Sequence, residues 1–563
     1  MTPSVNLLRG YQRSWLRGDL VAGVTVAAYL VPQVMAYASV AGLPPVAGLR
    51  AALPALVVYA VFGSSRSLSM GPEATTALMT AIAIGPLAAG EPARYAALAT
   101  LLALLTGLMS VAAWLLRLGF VADLLSRPVL VGYMTGVALI MIGGQLGRVT
   151  GVPVTGEGPV AQLASLAGQL GRIQPVTVGV AAAVLAFLYL VQSRWPRAPG
   201  TLLAILLATA AVAALGPGSG VRLVGPVPAG LPVPILPDLR LHDVRELLLP
   251  AFSVLIVAFS DDVLTARSFA RRGEEINANQ ELLALGLANA GSGLLRGFPV
   301  SSSATRTALG LAAGSKSQLY SLVTAASVVA VLLFLGPALA HFPVAALGGI
   351  VIYAAIRLID FRTFRRLFAF RRTESALAVA ACVGVLAFNI LFGVLLAIGL
   401  SVADLLLRVA RPHDAVLGRV PGLAGMHNVD DYPATQTIPG LVVYRYDAPL
   451  FFANADNFRR RALAAAEQHD HPVRWFVLNV EANVEVDFTG LEAVDAVREE
   501  LAGAGAVFAL ARVKHDLLAR LESFGLAEKI GPDRLYPTLP TAVAAYEAWA
   551  IQHPPGQQSA EAS

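Results

Sequence analysis

Two stretches of the sequence, 69–78 and 297–309, combine a proline and hydroxyl side chains with a short apolar run. Each is typical of a short helix that begins within an apolar part of the chain. The first turn of a helix leaves backbone N–H groups without an intrahelical partner and carries about half a positive charge. Two such N-termini with small side chains can replace the water around an anion. We therefore predict a site for a small anion at these two stretches.

The residues at the two helix starts are the predicted contacts for the anion. They are Glu73, Ala74 and Thr75 in the first stretch, and Ser302, Ser303, Ala304, Thr305 and Arg306 in the second. Arg306 either adds positive potential or forms a structural cap to carbonyls or a carboxylate. Glu73 opposes an anion, and its simplest role is to cap the first helix and to compensate the helix dipole.

A pair of aspartates, Asp261 and Asp262, lies inside another apolar run. Thr265 follows Asp261 by four residues and shares its helix face, whereas Asp262 points away and could pair with an arginine. A charge in the membrane centre costs roughly 2.5–3.5 kcal/mol on insertion scales. We therefore expect Asp261 to hold a proton, or Na⁺ together with the Thr265 hydroxyl, whenever the anion is bound. No other metal site is expected.

The elements that must position these residues are membrane-spanning helices. Of 563 residues, 56 % are hydrophobic and only 14 % are charged, with a mean hydropathy of +0.67. This composition excludes a soluble enzyme for most of the length, and it excludes disorder. The sequence shows no nucleophile–base constellation, phosphate loop, zinc spacing or basic stripe with interleaved aromatics. We expect no enzyme activity, no cofactor and no nucleic-acid partner.

About 14 apolar spans fit into the first 410 residues, since a spanning helix needs about 20 residues. The two interrupted helices are the third and the tenth span, which is the third position in each set of seven. Seven is odd, so the second set runs with inverted topology, and paired interrupted helices indicate a transporter's binding site. The arginines of the loops place both termini in the cytoplasm.

The hydropathy falls sharply near residue 410. The predicted organisation is a transmembrane domain (1–410), a linker (411–436), a soluble α/β domain (437–552) and a disordered tail (553–563). Strands at 441–446, 475–480 and 507–513 alternate with helices, which predicts a small, largely parallel sheet.

Several motifs together resemble the SulP family of sulfate permeases and related anion transporters. They are VPQVMAYA (31–38), GLPPVAGL (42–49), GP (71–72), EL (281–282), GLAN (286–289), GFPVS (297–301), RTA (306–308) and YRYDAPLFFANA (444–455). The resemblance implies seven plus seven inverted repeats, core and gate domains, dimers and an elevator-like movement of the core. It also implies that Gln33 and Tyr37 line the anion cavity, although Gln33 could instead form an interhelical hydrogen bond. In relatives, the position of Asp261 carries an acid tied to cation or proton coupling.

The soluble tail resembles the family's STAS domain with one departure. Phe488, in DFTGL (487–491), stands where the phosphoacceptor of STAS anti-sigma antagonists follows the aspartate. This departure argues against a phosphoswitch, and we expect Thr489 to cap the next helix instead.

The predicted function is a secondary active transporter of a small inorganic oxyanion, coupled to H⁺ or Na⁺. Sulfate is the first candidate by resemblance, and the protein is expected as a multi-pass homodimer in the lipid of the plasma (inner) membrane. Sodium-dependent bicarbonate transport and dicarboxylate or chloride transport stay open. So does a membrane-anchored STAS signalling protein that does not transport.

Overall fold

The structure is a computed structural model that describes residues 11–88, 90–124, 126–156, 158–195, 198–226, 228, 230–234, 240–271 and 273–554. It divides into two compact units, Met1–Val402 and Ala403–Ser563. Of the predicted disordered tail, 555–563 lie outside the described residues.

The first unit is helical, with two very short strands. In chain order its elements are α1 (Leu16–Val40), α2 (Val46–Phe62), β1 (Met70–Gly71), α3 (Ala74–Ile84), α4 (Pro92–Leu115), α5 (Arg127–Thr150), α6 (Gly158–Ala167), α7 (Pro175–Arg194), α8 (Gly200–Leu215), α9 (Leu241–Phe269), α10 (Ala278–Leu294), β2 (Ser301–Ser302), α11 (Ala304–Ala312), α12 (Leu319–Phe334), α13 (Gly336–Ala340), α14 (Val344–Leu358), α15 (Phe361–Phe370) and α16 (Arg372–Ala410), which continues into the second unit. Short 3-10 helices occur at Arg13–Trp15, Leu118–Leu124, Leu170–Arg172 and Pro217–Ser219.

Six helical stretches among the described residues are long and apolar enough to cross a membrane. They are Arg13–Val40, Pro92–Leu115, Arg127–Thr150, Pro175–Arg194, Leu241–Phe269 and Val344–Phe370. The helices α3 and α11 have only 11 and 9 residues. At 1.5 Å per residue neither can cross about 30 Å of hydrocarbon. The prediction that both interrupted helices are short is therefore confirmed.

Glycines allow the helices of this unit to pack with their backbones in contact. A Cβ added at Gly107 of α4 would lie 2.7 Å from the carbonyl oxygen of Gly286, and one at Gly286 would lie 3.0 Å from that of Gly107. Side chains larger than glycine would separate α4 from α10. Close approach of this kind is how helices associate in a membrane, where burial from water gives no driving force.

Helix α16 reverses direction within its length. A Cβ at Gly384 would overlap Leu396, and one at Gly393 would lie 2.6 Å from Cγ2 of Val385. Twelve residues of straight helix rise about 18 Å, so Gly384 could not otherwise reach Leu396. The helix therefore forms two arms that pack against each other.

The second unit is an α/β domain around a six-stranded sheet. Its elements are β3 (Asp414–Gly418), β4 (His427–Asn428), β5 (Leu441–Tyr446), α17 (Ala455–Glu467), β6 (Trp475–Asn479), α18 (Phe488–Gly503), β7 (Val507–Ala511), α19 (His515–Phe524), α20 (Leu526–Ile530), a 3-10 turn (Pro532–Arg534), β8 (Leu535–Tyr536) and α21 (Leu539–Gln552). The strand order is β4-β3-β5-β6-β7-β8. Strands β5 to β8 pair in parallel, and β3 pairs antiparallel with β4 and β5.

The three strands predicted for the tail are present as β5, β6 and β7. Along β5, Val442 and Tyr444 enter the core on one face of the sheet, and Leu441 and Val443 enter the core on the other. Successive side chains of a strand point to opposite faces of the sheet, so this alternation shows that β5 is buried on both faces. The segment 411–436, predicted as a linker, carries β3 and β4 and is part of the sheet.

The cap of α18 differs from the prediction. Asp487 is the N-cap residue, and its Oδ1 accepts from the N–H of Gly490 at 2.8 Å. Its Oδ2 accepts from the N–H of Phe452 at 2.8 Å. The prediction that Thr489 caps this helix is wrong, because an aspartate two positions earlier has the extended backbone that a cap requires.

Candidate functional site

The two short helices begin at one place because the segments before them pair as strands. β1 and β2 are antiparallel, with Met70 opposite Ser302 and Gly71 opposite Ser301. The N–H of Ser303 also donates to the carbonyl oxygen of Ser69 at 2.9 Å. The pairing brings together the N-termini of α3 and α11, which are more than 200 residues apart in sequence. Both helix dipoles therefore present their positive ends at this crossing.

The two N-termini are capped differently. Glu73 is the N-cap of α3, and its Oε2 accepts from the N–H of Ala74 at 2.5 Å. Ser303 is the N-cap of α11, and its hydroxyl makes no capping hydrogen bond. The first N–H group of α3 therefore already binds a carboxylate of the chain itself, while α11 has no equivalent side-chain cap.

Arg306 is fully buried and joins three segments of the chain. Its Nη1 donates to Oε1 of Gln33 at 3.1 Å and to the carbonyl oxygen of Pro72 at 3.0 Å. Nε and Nη2 have no hydrogen-bond partner among the described residues. A Cβ at Gly71 would lie 3.3 Å from Nη2, so glycine leaves room for the guanidinium. Arg306 thus bonds a backbone carbonyl, as expected of a structural cap. Two of its nitrogens have no hydrogen-bond partner among the described residues.

Gln33 and Tyr37 belong to the same hydrogen-bonded chain. Nε2 of Gln33 donates to the hydroxyl of Tyr37 at 3.0 Å, one helical turn along α1. Both side chains are almost fully buried. Since Oε1 of Gln33 accepts from Arg306 on α11, Gln33 makes the interhelical hydrogen bond that was one of its two expected roles.

A cavity of about 550 Å³ opens at the two helix starts. Eight of the predicted site residues line it, namely Gln33, Tyr37, Glu73, Ala74, Thr75, Asp261, Ala304 and Thr305. The other four, Ser302, Ser303, Arg306 and Thr265, are buried and are not in its lining. The structure therefore brings the backbone of both helix starts and one of the paired aspartates to a single cavity.

Asp262 contacts the second helix start, and among the described residues it has serine partners in place of the arginine with which it could have paired. Its Oδ1 accepts from the N–H of Ser302 at 2.6 Å and from the hydroxyl of Ser301 at 3.0 Å. The side chain is fully buried. Asp262 therefore fastens α9 to β2, while its neighbour Asp261 faces the cavity on the next face of the same helix.

Asn289 fixes the chain as it enters β2. Its Oδ1 accepts from the N–H of Val300 at 2.9 Å, and its Nδ2 donates to the carbonyl oxygen of Val300 at 3.1 Å. On the other side of the crossing, the N–H of Ser69 donates to Oγ1 of Thr307 at 3.0 Å. Because both strands are only two residues long, these bonds supply the rigidity that a longer ladder would provide.

Several residues that line the cavity were not predicted from the sequence, among them Tyr29, Tyr353 and Arg357. Tyr29 lies four residues before Gln33, so the spacing 29-33-37 along one face of α1 could have identified it. Arg357 lies in the last turn of α14, where a charge is typical of a helix end. Its sequence context carries no signal that the helix end reaches the cavity.

Comparison with known proteins identifies the relatives of both units. Residues 16–381 match the family model described as the sulfate permease family, and residues 432–542 match that of the STAS domain. A probable sulfate transporter of Mycobacterium tuberculosis is 55 % identical over 97 % of this chain and 98 % of its own. Sulfate transporter 4.1 of Arabidopsis thaliana, a chloroplastic protein, is 30 % identical over 96 % of this chain and 82 % of its own.

Two solved structures share the fold. The murine solute carrier 26 family member A9 anion transporter, in its inward-facing state, has a TM-score of 0.87 at 22 % identity, over 97 % of this chain and 94 % of its own. The transmembrane domain of a cyanobacterial bicarbonate transporter has a TM-score of 0.61 at 26 % identity, over 70 % of this chain and 98 % of its own.

Proposed function

Because the chain belongs to the sulfate permease family, we propose that it is a secondary active transporter of sulfate. The observation that carries the proposal is the β1–β2 pairing, which brings the N-termini of two short helices to one cavity. The relatives named as sulfate transporters support sulfate as the anion.

The proposed anion site consists mainly of backbone. Ala74 and Thr75 on α3, and Ala304 and Thr305 on α11, present N–H groups with small side chains at the cavity wall. Gln33 and Tyr37 complete the site from α1, and Ser302, Ser303 and Arg306 support it from behind. An anion held by fixed dipoles needs no mobile counter-charge, so it can be released when the surrounding helices move.

Glu73 is the internal competitor of the anion in this proposal. Its carboxylate accepts from the N–H of Ala74, a group that the anion would also use. A sulfate bound at the cavity would face this negative charge at short range. We infer that Glu73 is protonated when sulfate binds, so that anion affinity rises as the pH falls.

Asp261 is the proposed coupling residue, with Thr265 one turn along the same helix face. Its carboxylate lines the cavity that would hold the anion. Occupation of the carboxylate by H⁺ or Na⁺ removes the repulsion between the two charges, and the anion then favours the cation by the same free energy. Reciprocal binding of this kind is the thermodynamic basis of symport.

The finer organisation is part of the proposal. We propose 14 spans in two inverted sets of seven, which form core and gate domains, and an elevator-like movement of the core. We also propose that the protein is a homodimer in the plasma membrane, with both termini in the cytoplasm. The likeness of α3 and α11, each a short helix after a two-residue strand, supports the inverted repeat. The proposed domains are 1–410 and 437–552, with the intervening segment contributing β3 and β4 to the second.

Uptake of labelled sulfate into proteoliposomes tests the proposal. The purified full chain should accumulate sulfate when a pH or Na⁺ gradient is imposed, and empty liposomes should not. Absence of sulfate uptake under either gradient, with the protein correctly inserted, would overturn it. The variant that lacks the residues from Arg411 onward should still bind sulfate; if it inserts normally and binds no sulfate, the anion site does not lie wholly in the first unit.

Bicarbonate is the second candidate, because a bicarbonate transporter's transmembrane domain shares the fold at 26 % identity. A competition panel distinguishes the two. If excess bicarbonate, chloride or a dicarboxylate suppresses sulfate uptake more strongly than unlabelled sulfate does, the substrate assignment is wrong although the transport mechanism stands.

A further inference from the structure

Helix α15 (Phe361–Phe370) separates its side chains into two opposite faces. Its sequence is FRTFRRLFAF. Phe361, Phe364 and Phe368 follow one another at spacings of three and four and share a face with Leu367, whereas Arg362 and Arg366 occupy the opposite face and Arg365 lies at its edge. No other helix in the described part of the first unit is divided in this way.

The apolar face of α15 is only partly covered by protein. Leu367 is buried where the helix packs against α5. Phe361 and Phe368 remain 68 % and 57 % exposed. The rings of Phe364 and Phe368 stack at 5.6 Å.

The charged face has no ion-pair partner in the part of the chain that the structure describes. The exposed side chains of Arg362, Arg365 and Arg366 make no ion pair with a residue in the described ranges, and Arg371 and Arg372 follow directly. Asp360 caps the helix: Oδ1 accepts from the N–H of Thr363 and Oδ2 accepts from its hydroxyl. The helix therefore has a fixed start and a surplus of positive charge.

The position of α15 in the chain indicates what contacts its exposed faces. It lies between α14 and α16, two apolar helices of the unit that spans the membrane, and Ser375 of α16 donates to the carbonyl oxygen of Leu367 at 3.0 Å. A helix joined this closely to two such helices lies near the level where the hydrocarbon meets the headgroups, and its depth at that level depends on the lipid that it contacts. A short helix with phenylalanines on one face and arginines on the other suits that boundary.

We propose that α15 is an interfacial helix that binds anionic phospholipid. Its phenylalanines lie among the upper acyl chains, and its arginines pair with the phosphates of anionic headgroups. Basic residues beside a membrane are attracted to anionic lipid, and the attraction weakens with added salt. The inference concerns the membrane surface of the protein and does not depend on which anion is transported.

Site-directed spin labelling tests the position of the helix in the full chain. Cys382 is the only cysteine, so Cys382→Ala gives a background for single cysteines at Phe368 and Arg366, which lie on opposite sides of the helix. In vesicles of phosphatidylcholine with phosphatidylglycerol, a label at 368 should be more accessible to oxygen, which partitions into lipid. A label at 366 should be more accessible to a water-soluble nickel chelate. Equal nickel access at both sites, or protection of both sites from both reagents, would overturn the proposal.

The charge of the lipid is varied in the second part of the experiment. Replacing phosphatidylglycerol by phosphatidylcholine, or adding salt, should shift the label at 368 towards water, and soluble glycerol phosphate should have no effect. Arg362→Gln with Arg366→Gln should abolish the dependence on phosphatidylglycerol, and the matching lysine pair should retain it. Arg459→Gln with Arg460→Gln, on exposed positions of α17, is the matched control and should behave as wild type. If the label position is the same in both lipids, the specificity for anionic lipid is disproved.

Discussion

Arg306 donates a hydrogen bond of 3.1 Å to Gln33, although the two residues are 273 positions apart in the chain. The same Nη1 donates to the carbonyl oxygen of Pro72, just before α3 begins. One guanidinium therefore ties α1, the start of α3 and α11 together behind the cavity. The arrangement gives Arg306 two effects, a positive potential at the site and a fixed distance between the elements that form it.

Arg306→Ala should weaken sulfate binding by about 1–3 kcal/mol, the scale of a lost hydrogen bond to a charged group. Arg306→Lys keeps the charge but cannot keep the geometry of the guanidinium, so it should recover only part of the loss. The dissociation constant of sulfate from calorimetry on purified protein is the measurement. Thermal unfolding of each variant controls for folding. Equal affinity in wild type and Arg306→Ala would remove Arg306 from the site.

Ala304→Leu should block sulfate binding with little loss of expression. Ala304 is exposed within the cavity at the first residue of α11, so a larger side chain there would stand between the anion and the backbone N–H groups. Ala210→Leu, at an exposed position of α8, adds the same bulk outside the cavity lining and should transport normally. Normal sulfate uptake by Ala304→Leu would place the anion elsewhere.

Glu73→Gln should raise the affinity for sulfate at neutral pH and flatten its dependence on pH. The amide keeps an oxygen that can accept from Ala74 but carries no charge, so it no longer repels the anion. Sulfate affinity of wild type and variant is measured from acidic to alkaline pH. A wild-type affinity that does not increase as the pH falls would contradict the internal competition that we propose.

In the soluble domain, Asp495→Asn should destabilise α18 at neutral pH. Burial alone would raise the pKa of Asp495, but bonds from Lys529 and Arg498 outweigh burial and lower it. A lowered pKa means that the carboxylate stabilises the fold above its unfolded pKa of about 3.9, and that this contribution is lost as the pH falls through the folded value. Hydrogen exchange of peptides from 488–503, in the full chain, should be faster in the variant at neutral pH. The difference should shrink only in acid.

Signals that lie close together in sequence could be interpreted without a structure. Proline, glycine and hydroxyl residues before a short apolar run predicted the starts of α3 and α11, because the ends of helices are set by local chemistry. The strands β5, β6 and β7 followed from short buried runs. The strand β3 was missed because its place at Asp414–Gly418 depends on pairing with β5.

Contacts across long sequence separations could not be predicted. The partner of Asp262 is a backbone N–H 40 residues away, and an arginine was the more plausible partner for an isolated carboxylate. Arg357 reaches the cavity only because α14 ends beside it. A single sequence shows which polar residues lie in apolar runs. The packing of helices that are distant in sequence determines which of these residues contact one another.

Asp261→Asn should abolish accumulation of sulfate against its gradient while exchange down the gradient persists. The carboxylate lines the cavity, and without its charge no H⁺ or Na⁺ is required for the anion to bind. Asp262→Asn is the matched control, since an asparagine oxygen can still accept from the N–H of Ser302 and hold α9 to β2. Uptake is measured with an imposed pH gradient or Na⁺ gradient, beside sulfate–sulfate exchange without either. Gradient-driven accumulation in Asp261→Asn would exclude Asp261 as the coupling residue and leave Glu73 as the carboxylate that carries the cation.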